Sequence, residues 1–62
     1  MEIIENIKEE LEKLGFEELE YKGISRSEMY YVFIGKIGKV EVGIESKRVR
    51  VNGMTQPFQL NI

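Results

Sequence analysis

The spacing of apolar residues changes once along this chain, at Gly15, and that change limits the possible folds more than any other feature. Before Gly15, apolar residues recur every three or four positions, which is typical of one face of an amphipathic helix. After it they recur at every second position, which is typical of strands with one buried face. The pattern predicts an α+β domain in which an N-terminal amphipathic helix packs on a four- to five-stranded antiparallel β-meander.

The helix is predicted over residues 2–14. Gly15 suits the left-handed position that follows a helix, which would place Phe16 against Leu11 as in a Schellman motif. The apolar stripe that would face the sheet consists of Ile3, Ile4, Ile7, Leu11 and Leu14.

The meander is predicted over residues 17–62, as part of a single domain that spans 1–62. Its first strand ends at Gly23, and its strongest strand signal is the β-branched and aromatic run at 29–34. The later strands are indicated by apolar residues that alternate with polar ones: Val40, Val42, Ile44, Val49, Val51, Phe58, Leu60 and Ile62.

Two later turns are predicted from local sequence. The dipeptide Asn52-Gly53 favours a type I′ hairpin, which would pair Val51 with Met54. A loop centred on residues 46–47 would pair Val42 with Val51, so that apolar residues meet across the strands.

The turn over residues 35–38 leaves two registers open. A two-residue loop pairs Phe33 with Val40, whereas a three-residue loop would swap the buried face of one strand. Further on, Pro57 suits an edge strand, because proline has no N–H to donate to a neighbouring strand.

The chain contains no His, no Cys and no Asp, and all eleven acidic residues are Glu. Without an imidazole, a general base at neutral pH would require a strongly shifted Glu or Lys, and cysteine nucleophiles, disulfides and ordinary zinc sites are excluded. A domain of 62 residues buries only about 60% of its chain surface, so a deep pocket is difficult to build. We therefore expect no enzyme activity, no catalytic residues, no metal site and no cofactor.

Composition also bears on partners and location. A net charge of −2 argues against tight nucleic-acid binding unless the charge is segregated on one face. No apolar run approaches the roughly 20 residues of a membrane span, and the acidic start is unlike a signal peptide, so we expect a cytoplasmic protein without a membrane partner. The abundance of Glu, Lys and Ile resembles heat-adapted proteins, although an AT-rich genome would produce the same bias.

The run at 29–34 is apolar on both of its faces, and one helix can cover only one of them. The leading prediction is therefore an interface with a second copy, forming a homo-oligomer, or with another protein, formed by Tyr30, Val32, Ile34 and Gly43. Because glycine has no side chain, Gly43 is expected to leave a hollow beside this interface. In the alternative structure, the sheet curls into a barrel and buries both faces internally.

Basic residues concentrate in the later strands, while acidic residues concentrate in the helix and first strand. The alternative function is a nucleic-acid-binding module, because cations beside an aromatic ring resemble a single-strand platform. Glu41 and Glu45 on the same face weaken this hypothesis. Its candidate residues are Tyr30, Lys36, Lys39, Lys47, Arg48 and Arg50.

Overall fold

One helix is followed by five strands in the computed structural model, which describes residues 2–62; Met1 lies outside the described residues. The elements are α1 (Glu2–Lys13), β1 (Glu20–Ile24), β2 (Tyr30–Gly35), β3 (Gly38–Gly43), β4 (Arg48–Val51) and β5 (Met54–Gln59). The strands form one antiparallel sheet in the order β1-β2-β3-β4-β5, and α1 packs against one of its faces. The predicted α+β meander is confirmed, with five strands.

The end of α1 is the predicted Schellman motif. The Phe16 N–H donates to the Leu11 carbonyl at 3.2 Å, and the Gly15 N–H donates to the Glu12 carbonyl at 3.0 Å. Gly15 has a φ of 103°, a conformation that glycine adopts without a steric penalty. The helix therefore stops at Lys13, one residue before the predicted end, and the chain turns back toward the sheet.

The core lies between α1 and the sheet. Phe33 is fully buried at its centre, and the Tyr21 ring lies against it with the ring centroids 5.3 Å apart. Two members of the predicted helix stripe are exposed, Ile3 at 38% in the first turn of α1 and Leu14 at 51% beyond its last residue. The buried apolar residues are Ile4, Ile7, Leu11, Leu19, Phe33, Val40, Val42, Val49 and Leu60.

The turn between β2 and β3 is the two-residue loop. Gly35 pairs with Gly38 and Phe33 pairs with Val40, which resolves the two registers that the sequence leaves open. Both members of the second pair are completely buried, so this register places the two strands' apolar residues on the helix side.

The register between β3 and β4 differs from the prediction by two residues: Val42 pairs with Val49 rather than with Val51. β3 ends at Gly43, and the Lys47 N–H closes a longer loop by donating to the Gly43 carbonyl at 3.0 Å. Lys47 takes a positive φ of 61° to end this loop. A shift of two residues keeps every side chain on its predicted face but changes its cross-strand partner.

The turn between β4 and β5 is the predicted Asn-Gly hairpin, and Val51 pairs with Met54. The Asn52 side chain also ties this turn to its neighbour. Its Oδ1 accepts from the Lys39 N–H at 3.0 Å, and its Nδ2 donates to the Ile37 carbonyl at 3.0 Å. The two hairpin turns at this end of the sheet are thereby held together by one side chain.

Both sheet edges are irregular. β5 forms one edge and carries the exposed Pro57, as predicted. β1 forms the other edge and continues to Ile24 instead of ending at Gly23, which takes a φ of 110° within a break in the register. Irregular edges of this kind oppose pairing with strands of other molecules.

Candidate binding face

The sheet face that points away from α1 is called the outer face. Its central row crosses four strands through the paired residues Val32, Glu41, Arg50 and Thr55. The sheet is open, since β1 and β5 lie at opposite edges of the order that the described strands form. The barrel alternative is therefore wrong for residues 2–62, and within that part of the chain no helix or strand covers this face, although the loop after β3 lies over Gly43 at its end.

The four predicted interface residues differ in exposure. Ile34 is 41% exposed, and Val32 and Tyr30 are half-buried. Gly43 is buried, and the Ser46 Oγ occupies the space that a β-carbon on this glycine would need. The space directly over Gly43 is therefore filled, while a shallow hollow lies beside it, between its cross-strand partner Tyr30 and the following residues Ile44 and Ser46.

The centre of the outer face holds a charged residue, Glu41, which in the sequence counted only as an argument against nucleic-acid binding. Glu41 is only 7% exposed, and its Oε1 lies 3.9 Å from Arg50 Nε. The Arg50 guanidinium carbon in turn lies 4.8 Å from the centroid of the Tyr30 ring. Arg50 therefore links a buried carboxylate to an aromatic ring. The predicted register concealed this arrangement, because it placed Asn52 rather than Arg50 opposite Glu41.

The structure brings together only part of the predicted basic set. Lys39, Arg48 and Arg50 lie on the outer face with Tyr30. The other two predicted cations, Lys36 and Lys47, lie in turns, and their ammonium groups contact oxygen atoms of the same chain. Lys36 Nζ is 3.4 Å from Glu17 Oε1, and Lys47 Nζ donates to the Ile44 carbonyl.

Charge is divided between the two sides of the molecule. α1 carries five Glu and two Lys. On the outer face, Lys22, Lys39, Arg48 and Arg50 outnumber the two carboxylates of Glu20 and Glu41. The Lys22 ammonium donates a hydrogen bond to Glu20 at 2.8 Å and, by this bond and its charge, holds the pKa of that carboxyl below its usual value. An acidic helix and a basic sheet face thus lie on opposite sides.

One shallow hollow lies at the end of the sheet where β2 begins. It has a volume of about 160 Å³ and is open to solvent, whereas pockets for small molecules usually enclose about 300 Å³ or more. Its walls are formed by Glu28, Met29, Tyr30, Ile44, Glu45 and Ser46. Across residues 2–62, no three potential His, Cys, Asp or Glu ligands come close enough together to hold a metal ion.

No helix within the described part of the chain has both the length and the apolar character needed to cross a membrane. Comparison with protein-family models, with curated proteins and with solved structures finds no match to this chain.

Proposed function

We propose that this protein is a small, non-enzymatic binding and assembly module that associates with a second copy, or with another protein, through the outer face. The observation that carries the proposal is Ile34, which is 41% exposed on a sheet face that no element covers, next to the half-buried Val32. Uncovered apolar side chains surrounded by charged ones are typical of protein interfaces. The cytoplasm is its proposed location.

The outer face also favours a macromolecular partner over a small ligand. In its central row, Arg50 extends over part of the neighbouring Tyr30 ring. The hollow beside it is small and open. Open surfaces bind by extended contact, whereas small ligands require a concave site that encloses them.

Ile34→Glu tests this proposal. The wild-type chain is expected to self-associate at micromolar to millimolar concentration in sedimentation equilibrium. The variant is expected to associate at least tenfold more weakly, because the new carboxylate would lose its hydration in the contact. Ile62→Glu is the matched control, because Ile62 is similarly exposed, at 45%, but lies beyond β5. A wild-type chain that stays monomeric throughout this range would contradict self-association.

A second candidate function is single-strand nucleic-acid binding. The observation that favours it is the stacking of Arg50 on Tyr30 at 4.8 Å, with Lys39 and Arg48 on the same face. Aromatic rings combined with cations form platforms for unpaired bases and their phosphates.

Titration with a labelled single-stranded oligonucleotide at low and moderate salt tests this second candidate. Binding is expected to weaken as salt rises, and Lys39→Glu/Arg48→Glu is expected to abolish it, because these side chains would contact phosphates. Arg26→Glu, in the exposed loop before β2, is the control. Absence of binding at low salt, where phosphate contacts are strongest, would end this hypothesis.

A further inference from the structure

We propose that the occupant of the outer face is the acidic side of α1 from a second copy of this chain, so that molecules associate head to tail. This inference rests on the proposed self-association and adds which surface of the second copy is used.

The solvent-facing side of α1 carries a row of four exposed carboxylates, here called the carboxylate stripe. At 100° per residue these side chains point away from the buried Ile4, Ile7 and Leu11. The stripe consists of Glu2, Glu5, Glu9 and Glu12. None of the four forms an ion pair with another residue of the described chain.

The outer face carries two cations whose separation is close to the length of the carboxylate stripe. Within residues 2–62, the side chains of Lys39 and Arg48 form no ion pair and donate no hydrogen bond. They lie at opposite ends of the face, because Lys39 is near the start of β3 and Arg48 begins β4 beside its end. At about 3.3 Å per strand residue their separation along the sheet is about 13 Å.

The carboxylate stripe has nearly the same length. Ten residues separate Glu2 from Glu12, which at about 1.5 Å per residue is about 15 Å. A helix laid along β3 and β4 of another copy would therefore bring carboxylates to both Lys39 and Arg48. The aliphatic stems of the Glu side chains would reach Ile34 and Val32, which lie on β2 beside Lys39 and Glu41.

The competing arrangement, in which two outer faces meet each other, is disfavoured by the same charges. It would place the excess of cations on one outer face against the same excess on the other, and like charges in a contact oppose association. Because the carboxylate stripe and the outer face are on opposite sides of one molecule, the head-to-tail contact leaves both surfaces available at the ends. Such a heterologous contact grows into an open chain rather than closing as a dimer.

The contact is expected to be weak and sensitive to salt. One face of a helix about 18 Å long is a footprint well below the roughly 800 Å² per partner of a stable interface. Most of its attraction comes from exposed charges, which salt screens within about 10 Å at 0.1 M. The association should therefore be strongest at low ionic strength.

Two charge-reversed variants test the inference by sedimentation velocity. The helix variant is Glu9→Lys/Glu12→Lys, and the sheet variant is Lys39→Glu/Arg48→Glu. Each alone is expected to associate at least tenfold more weakly than wild type at low salt. An equimolar mixture is expected to recover association, because the reversed helix fits the reversed sheet. Glu18→Lys/Glu28→Lys makes the same change in net charge off α1 and is expected to behave as wild type.

The outcomes separate the two proposals. If the helix variant associates as wild type does while Ile34→Glu does not, the head-to-tail arrangement is wrong and self-association through the outer face stands. If the wild-type chain is monomeric at low salt, the head-to-tail arrangement and self-association are both wrong, and the outer face is left for a different protein partner. Oligonucleotide binding by a monomeric chain would assign the outer face to nucleic acid. Far-UV circular dichroism of each variant establishes that loss of association does not arise from unfolding.

Discussion

Phe33→Ala is expected to remove a large part of the stability of this fold. Phe33 is completely buried between α1 and the sheet, and removing its ring should lower the free energy of unfolding by about 3 to 5 kcal/mol. Native proteins have roughly 0.05 to 0.15 kcal/mol of stability per residue, which for 62 residues amounts to about 3 to 9 kcal/mol. The loss would therefore range from about a third of the stability to all of it. Thermal and urea unfolding followed by circular dichroism would measure the effect.

Ile34→Ala is the matched control for this experiment. Ile34 is the next residue of β2 and points to the outer face, where it is 41% exposed. Its truncation is expected to change the free energy of unfolding by less than about 1 kcal/mol, because less apolar area returns to water. Equal losses from the two substitutions would show that the helix-side core does not dominate the stability.

Gly38→Ala is expected to lower the free energy of unfolding by about 3 kcal/mol, because two separate penalties act at this position. Gly38 has a φ of 127°, which residues with a side chain rarely adopt. A β-carbon there would also overlap the Asn52 side-chain amide, which bonds to both Lys39 and Ile37. Displacing that amide would break both hydrogen bonds.

A double-mutant cycle separates the two penalties. Asn52→Gly alone removes the two hydrogen bonds while tolerating the positive φ, with an expected loss of about 1 to 2 kcal/mol. In the double variant Gly38→Ala/Asn52→Gly, the loss in free energy of unfolding should be at least about 1 kcal/mol smaller than the sum of the two single losses, because the Asn52 amide that the new β-carbon would overlap is absent. Gly53→Ala serves as the control for backbone strain alone, since its φ is 85° and no atom lies within 4 Å of the added carbon. Additive losses would contradict the overlap.

The parts of the fold that local sequence determines could be predicted. Gly15 followed by Phe16 indicates how α1 ends, and both expected hydrogen bonds are present. Asn52-Gly53 likewise indicates its hairpin, because few residues other than Asn and Gly tolerate two successive positive φ angles. In both cases a residue with an uncommon backbone preference stands where the chain must turn.

The loop between β3 and β4 was not predictable in the same way, because no residue in it has a strong turn preference. Lys47 takes the left-handed conformation there, and Ser46 Oγ stabilises the loop by accepting from the Arg48 N–H at 3.2 Å. The resulting shift of two residues left the buried face correct but concealed the pairing of Glu41 with Arg50. The sequence therefore did not reveal the centre of the candidate site, because the conformation of a loop outside that site sets the register.

The order of the strands in the sheet repeats their order in the chain. Each strand pair is therefore closed by a short hairpin loop, and forming it loses little chain entropy. Hairpins of this kind form within about 1 to 10 μs, and proteins rich in local contacts fold faster than those whose partners are distant in sequence. The docking of α1 on the sheet, in contrast, joins residues that are distant in the sequence. The slow step in folding should accordingly be the closing of the helix over a sheet whose hairpins have already formed.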